Sequence, residues 1–198
     1  MMQKIIVFDV DGVIIDSATK KFNAFSRVIK DFWLYDNPEV RKVLEDRVSR
    51  NFLAQKIYEV SWIPHQKTLI EISRSLSLYE TPWNSYPAFQ TTLDFIHSHY
   101  NDYVYFTNTA MDSQTVVPVF KELWILRYFE EILWYNTGTK KENIEYILRN
   151  HECTSKDILF IDDLQYNIDN VVPTWVHTLL FLDDWISLEE KVWSIFWK

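Results

Sequence analysis

The sequence is poor in glycine. It has 2 in 198 residues, where average usage would supply roughly 14. Turns and helix ends therefore lack the residue that best tolerates left-handed backbone. Cysteine is scarce too: Cys153 stands alone, which excludes an internal disulfide. A reducing cytoplasm is the expected setting, and Cys153 reads as a free thiol near a helix end. No apolar run approaches the length of a bilayer span. The stretch Ile5 to Phe8 is cut short by Asp9, so no signal peptide is expected. Lys and Arg number 20 against 28 Asp and Glu, a net charge of -8. A general role on nucleic acid or an anionic membrane is not expected, because both need clustered cations. The five histidines form no metal pattern. His97 and His99 stand two apart on an expected helix and point to different faces, so no zinc site is expected.

What is present suits a folded enzyme. Hydrophobic residues make up 47%, enough for a core, and the length suits one domain with a modest insertion. KIIVFDV reads as a buried strand of a parallel sheet, and Gly12 permits a sharp turn after it. A long helical stretch follows. Phe22, Phe25, Ile29 and Phe32 recur at helical spacing, as do Val40, Val43, Leu44 and Val48, and Leu69 to Leu78 looks helical. Pro82 and Pro87 punctuate a loop.

The pattern then alternates. Phe89, Leu93 and Ile96 mark a helix, and Tyr103–Phe106 a strand. Val116, Val117, Phe120 and Leu123 mark a helix, and Glu131–Trp134 a short strand. Ile144, Ile147 and Leu148 mark a helix. Asp157–Ile161 and Val176–Phe181 are strands. Alternation of this kind predicts an α/β fold with a doubly wound parallel sheet. Residues 1–16 and 87–198 form the core domain, and residues 17–86 an inserted helical cap. Asp16 and Ser17 start the first cap helix, and Lys20–Lys21 reads as its solvated face.

Active sites of open parallel sheets form at the carboxyl ends of strands. Those ends carry Asp9 and Asp11, then Thr107 and Asn108, then Lys140 past a short loop, then Asp162 and Asp163. Several carboxylates brought together repel one another unless a cation joins them, and hard oxygen ligands with an open face suit Mg²⁺. A hydroxyl and an ammonium then hold the remaining phosphoryl oxygens. A carboxylate beside the metal attacks phosphorus. A lone D-x-D-G also occurs in calcium loops, but their further ligands and closing Glu are absent.

These motifs, DVDGVIIDS, VYFTN, GTKKENIEYIL and FIDDLQYN, resemble those of the haloacid dehalogenase superfamily, in particular its phosphatase branch. The resemblance covers nearly the whole chain. It implies a Rossmann-like core and Mg²⁺ as cofactor. Asp9 would be the nucleophile and Asp11 the general acid and base. Thr107 would hold the phosphoryl group, with Asn108 and a lysine beside it. That lysine is taken as Lys140, four residues before Ile144, with Lys141 as the alternative. Asp163 aligns with the metal-binding aspartate. Asp162 fills a glycine slot and supports the metal, and Asn167 stands where many members carry an acid. Dehalogenases lack an acid at the position of Asp11, so phosphoryl transfer is favoured. The helical insertion looks like the family's small cap, which in relatives closes over the site and selects the substrate.

The function expected is hydrolysis of a small phosphate monoester through an aspartyl phosphate at Asp9. A sugar-phosphate mutase of the same superfamily is the alternative. A receiver-type signalling domain is remote, because there the acid pair comes at the first strand and the phosphorylated acid at the third.

Nine tryptophans complete the picture. Trp33 and Trp124 fall just past helices, a place that favours glycine. Trp83 follows Pro82 and Trp185 follows Asp183–Asp184, positions where Pro-Gly and Asp-Gly turns are common. By the resemblance, relatives often read L-G-I where this chain has Leu123–Trp124–Ile125, and carry glycine before the last strand, where Trp175 stands. Two readings remain open: a glycine codon read here as tryptophan, or a genuinely tryptophan-rich chain. Deep burial of most of the nine would favour the second.

Overall fold

The computed structural model describes residues 3–45, 50–78, 87–182 and 186–197. Val48, Pro82, Trp83 and Trp185 of the sequence reading lie outside them. The chain divides into two compact units, Met1–Asp16 with Trp83–Lys198, and Ser17–Pro82. Among the described residues no helix is long and apolar enough to cross a membrane.

The chain opens with strand β1 (Lys4–Phe8) and then enters the smaller unit. That unit contains α1 (Ala18–Asp31), α2 (Pro38–Glu45), α3 (Arg50–Ser61) and α4 (His65–Leu78), and no strand among its described residues. The expected helical region is thus four helices among the described residues. Asn37 separates α1 from α2, its carboxamide accepting the N–H groups of Glu39 and Val40. Ala24, Phe25, Val28 and Ile29 of α1 meet Val40, Val43, Leu53, Ile57 and Ile72 in a core of the unit's own. Phe22, on the same expected stripe, is exposed.

The larger unit resumes at α5 (Gln90–His99) and continues through β2 (Tyr103–Thr109), α6 (Ser113–Glu122), β3 (Phe129–Trp134), α7 (Lys140–Asn150), β4 (Ile158–Asp162), α8 (Gln165–Val171), β5 (His177–Leu180) and α9 (Leu188–Phe196). The five strands form one sheet in the order β3-β2-β1-β4-β5, and every neighbouring pair is parallel. The expected α/β architecture is therefore present. Alternation within each strand feeds both faces. Ile6, Phe8, Tyr105, Leu159 and Ile161 enter one cluster with α5 and α6. Ile5, Val7, Phe106, Ile158 and Phe160 enter the other with α7 and α8. This double burial explains why β1 and β4 read as continuous apolar runs. Each such side chain contributes about 1.5–3 kcal/mol by leaving water.

Several details differ from the sequence reading: β3 begins two residues earlier, at Phe129, β5 is one residue shorter at each end, and α9 had no counterpart. β2 runs on through Thr107, Asn108 and Thr109, all buried, because hydrogen bonds satisfy these polar side chains inside the sheet. Asp157 precedes β4 and sits in a 3-10 turn. There its carboxylate accepts from Thr154 and meets Lys4 at 2.7 Å, pinning the start of β1 to the start of β4. α8 is an added element. It has only 7 residues, too few to show a helical period.

Candidate active site

The sheet order reverses direction between β1 and β4, so the crevice at their carboxyl ends is where an open α/β sheet builds a site. Asp9 lies at the end of β1. Its N–H still donates to the Ile161 carbonyl at 2.8 Å, which fixes its backbone to β4. One carboxylate oxygen accepts from the Val10 N–H at 2.8 Å, and the residue is 5% exposed. Asp11 and Gly12 lie in the turn that follows. Gly12 has φ +80°, and a Cβ added there would collide with the Asp163 carboxylate. Glycine is therefore needed twice, for its backbone and for the close approach of Asp163, which follows β4. Gly12→Ala is predicted to lower Tm by roughly 5 °C and to depress turnover in the same preparation. Unchanged Tm and turnover would show that the loop relaxes freely.

Lys140 opens α7. Thr139 caps that helix in a capping box with Glu142, which fixes the first turn. The Lys140 ammonium donates to Asp162 Oδ2 at 2.6 Å and to the Asn108 carbonyl at 2.8 Å, and lies 3.2 Å from Asp9 Oδ1. An ammonium has three protons, and each finds an oxygen. Burial would pull its pKa down, but attraction to Asp9 and Asp162 outweighs this and the pKa is raised. Lys141 instead faces Glu145 at 3.7 Å and is half exposed. The geometry brings Lys140, not Lys141, to the carboxylates.

The other site residues fall around this pair. Asp162 is fully buried. It accepts from Lys140, from the Leu164 N–H at 2.9 Å and from the Asn167 amide at 2.9 and 3.1 Å. A donor at 167 suits a buried carboxylate, where another acid would repel it. Thr107 pairs in register with Phe8 across β1 and β2, and its hydroxyl donates to the Leu133 carbonyl at 3.1 Å. The Asn108 side chain works inside the protein: its amide donates to the Lys140 carbonyl at 2.8 Å and accepts from Asn143 at 3.0 Å. Asn143 is the residue that the sequence reading missed. It stands four before Ile147 on the apolar face of α7 and is 1% exposed. A polar residue on a buried stripe was the available signal.

Electrostatics favour a cation here. Asp9's pKa is pushed up to about 7, first by burial, against the pull of Lys140, and further by the charges of Asp162, Asp11 and Asp163. One ammonium does not neutralise this set. Asp9, Asp162 and Asp163 each offer a carboxylate oxygen, all within 4.8 Å of one another. A hard divalent ion fits such donors and would hold Asp9 ionised.

Comparison with known proteins identifies the fold and the family. Among curated proteins no match is found. A haloacid dehalogenase-like family hydrolase from Streptococcus pneumoniae superposes with a TM-score of 0.68 at 17% identity, over 96% of this chain and 90% of that one. A predicted phosphatase from Clostridium acetobutylicum gives 0.67 at 15%, over 90% and 84%. A HAD hydrolase from Bacillus subtilis, described as bound to magnesium, gives 0.61 at 16%, over 99% of both chains. At these identities the likeness establishes a shared fold. The sequence itself matches the family described as haloacid dehalogenase-like hydrolase over residues 6–171, a span that contains every residue of the cluster, and the chain belongs to that family.

Proposed function

We propose that the protein is a Mg²⁺-dependent phosphatase that hydrolyses a small phosphate monoester through an aspartyl phosphate at Asp9. The observation that carries this reading is the Lys140 ammonium seated against Asp9 and Asp162 at the shared end of β1 and β4. An Asp9 oxygen attacks phosphorus and the ester P–O bond breaks. Asp11 gives its proton to the departing alkoxide. Water then attacks phosphorus, Asp11 takes back a proton, and the bond to Asp9 breaks to release phosphate. Lys140 and Thr107 hold the phosphoryl oxygens, and Asn108 steadies Lys140 from behind. Asp9 and Asp163, with Asp162 and Asp11 alongside, would hold the Mg²⁺, which supplies positive charge to keep Asp9 ionised and to balance the phosphoryl oxygens.

The test is release of inorganic phosphate from a panel of small phosphate esters. Turnover should require Mg²⁺ and vanish with EDTA. Conversion of a sugar phosphate to its isomer without net phosphate release would instead identify a mutase.

Asn143 takes a part in this scheme without reaching the site. Asn143→Leu keeps the size but removes the hydrogen bond to Asn108. It is predicted to cost about 1–3 kcal/mol of stability and to lower kcat roughly tenfold to a hundredfold, as Lys140 loses its placement. A full kcat in a destabilised variant would reduce Asn143 to a packing residue.

A further inference from the structure

Among the described residues, four that are not glycine have positive φ: Trp33 at 58°, Trp62 at 61°, Trp124 at 59° and Trp175 at 65°. All four are tryptophan. This is the left-handed region, where a Cβ crowds the following carbonyl and glycine is the usual occupant. Asparagine and aspartate tolerate it best among the other residues, yet neither occupies it here.

The hydrogen bonds specify the positions further. At the end of α1, Trp33 N–H donates to the Lys30 carbonyl and Leu34 N–H to the Ile29 carbonyl, both at 2.9 Å. At the end of α6, Trp124 N–H donates to Lys121 at 3.1 Å and Ile125 N–H to Phe120 at 3.0 Å. Each is a Schellman motif with tryptophan in the slot that glycine normally fills. The accompanying hydrophobic residues are in place, since Ile125 and Phe120 share one core and Leu34 packs against the core that contains Ile29. Trp62 directly follows α3. Trp175 closes the 3-10 turn Val172–Thr174 just before β5.

The indoles gain little in return. Exposure is 93% for Trp33, 78% for Trp62, 75% for Trp124 and 85% for Trp175. Large aromatics contribute through burial, and these remain in water. Trp62 has an edge-on ring contact at 6.0 Å, with Tyr58 of the preceding turn. Of the other tryptophans, Trp134 is partly buried, while Trp193 and Trp197 are exposed. None of the described seven is buried.

We infer that the protein made in its own cell carries glycine at positions 33, 62, 124 and 175, through a codon that is read as tryptophan in the printed sequence and as glycine by the native translation machinery. The scarcity of glycine, the four left-handed sites and the exposed indoles then have one cause. The backbone at these positions already has the left-handed shape that favours glycine, and the catalytic cluster contains none of them.

Peptide mass spectrometry of the protein isolated from the organism that carries the gene tests this directly. Peptides spanning 33, 62, 124 and 175 should have the mass of glycine at each position. Tryptophan at these positions in the native protein overturns the inference. A second measurement compares recombinant chains. The quadruple variant Trp33→Gly, Trp62→Gly, Trp124→Gly, Trp175→Gly should unfold with Tm raised by roughly 10 °C over the tryptophan chain. An equal or lower Tm contradicts the physical argument.

Discussion

Asp9→Asn is expected to remove turnover, by roughly 10⁴-fold or more, and to leave the chain folded. The two effects have separate causes. The amide has the shape of the carboxylate, and its oxygen still accepts from the Val10 N–H, so the turn after β1 persists. The amide is a poor nucleophile towards phosphorus, so the proposed first step should fail. Stability should hold or rise, because Asp9 is buried among Asp11, Asp162 and Asp163, whose charges oppose its ionisation. Sites that gather like charges commonly give up stability for activity. Turnover and thermal unfolding measured on one preparation check both halves. Activity within tenfold of the unaltered protein would place the nucleophile elsewhere. A collapse of Tm would show that Asp9 is chiefly a structural ion-pair partner of Lys140.

Lys140→Met is expected to lose activity and stability together. It removes the ammonium that lies 2.6 Å from Asp162 and 3.2 Å from Asp9. Breaking one side of a buried ion pair costs about 3–5 kcal/mol, because the remaining charge is left without compensation. For a chain of this length Tm should fall by roughly 10 °C. Turnover should fall roughly a thousandfold, since a positioned cation facing developing charge is lost. Added Mg²⁺ should restore part of the Tm, by supplying another positive charge, without restoring turnover. Lys141→Met serves as the control. Its ammonium faces the exposed Glu145, and surface changes of this kind stay within about 0.5 kcal/mol. Equal losses in the two variants would contradict the assignment of Lys140.

The two lysines show what sequence resolves. Spacing from Ile144 put Lys140 at the first turn of a helix, and α7 does begin there. Spacing alone left Lys141 open, because both fall in the first turn of the helix. Only the direction of the side chain separates them, and that depends on the capping box at Thr139 and on β4 beside it. The strands that were most legible, β1 and β4, are buried on both faces and so appear as unbroken apolar runs. β2 was read three residues short because Thr107, Asn108 and Thr109 are polar yet buried. Thr107 and Asn108 find their partners, the Leu133 and Lys140 carbonyls, in distant chain segments that local composition does not reveal, while Thr109 accepts from the nearby Met111 N–H. α8 escaped notice for a related reason: its sequence QYNIDNV presents two buried residues, Ile168 and Val171, too few to define a stripe. Asn143 and Asn167 act by donating to other site residues, a role that appears only when the strands and helices stand side by side.

Acid quenching during turnover of the best ester, followed by peptide mass spectrometry, should recover a phosphate adduct on the peptide containing Asp9, formed with Mg²⁺, absent with EDTA and absent in Asp9→Asn. Steady phosphate release with no adduct on Asp9, or with an adduct on another residue, would contradict an aspartyl phosphate at Asp9.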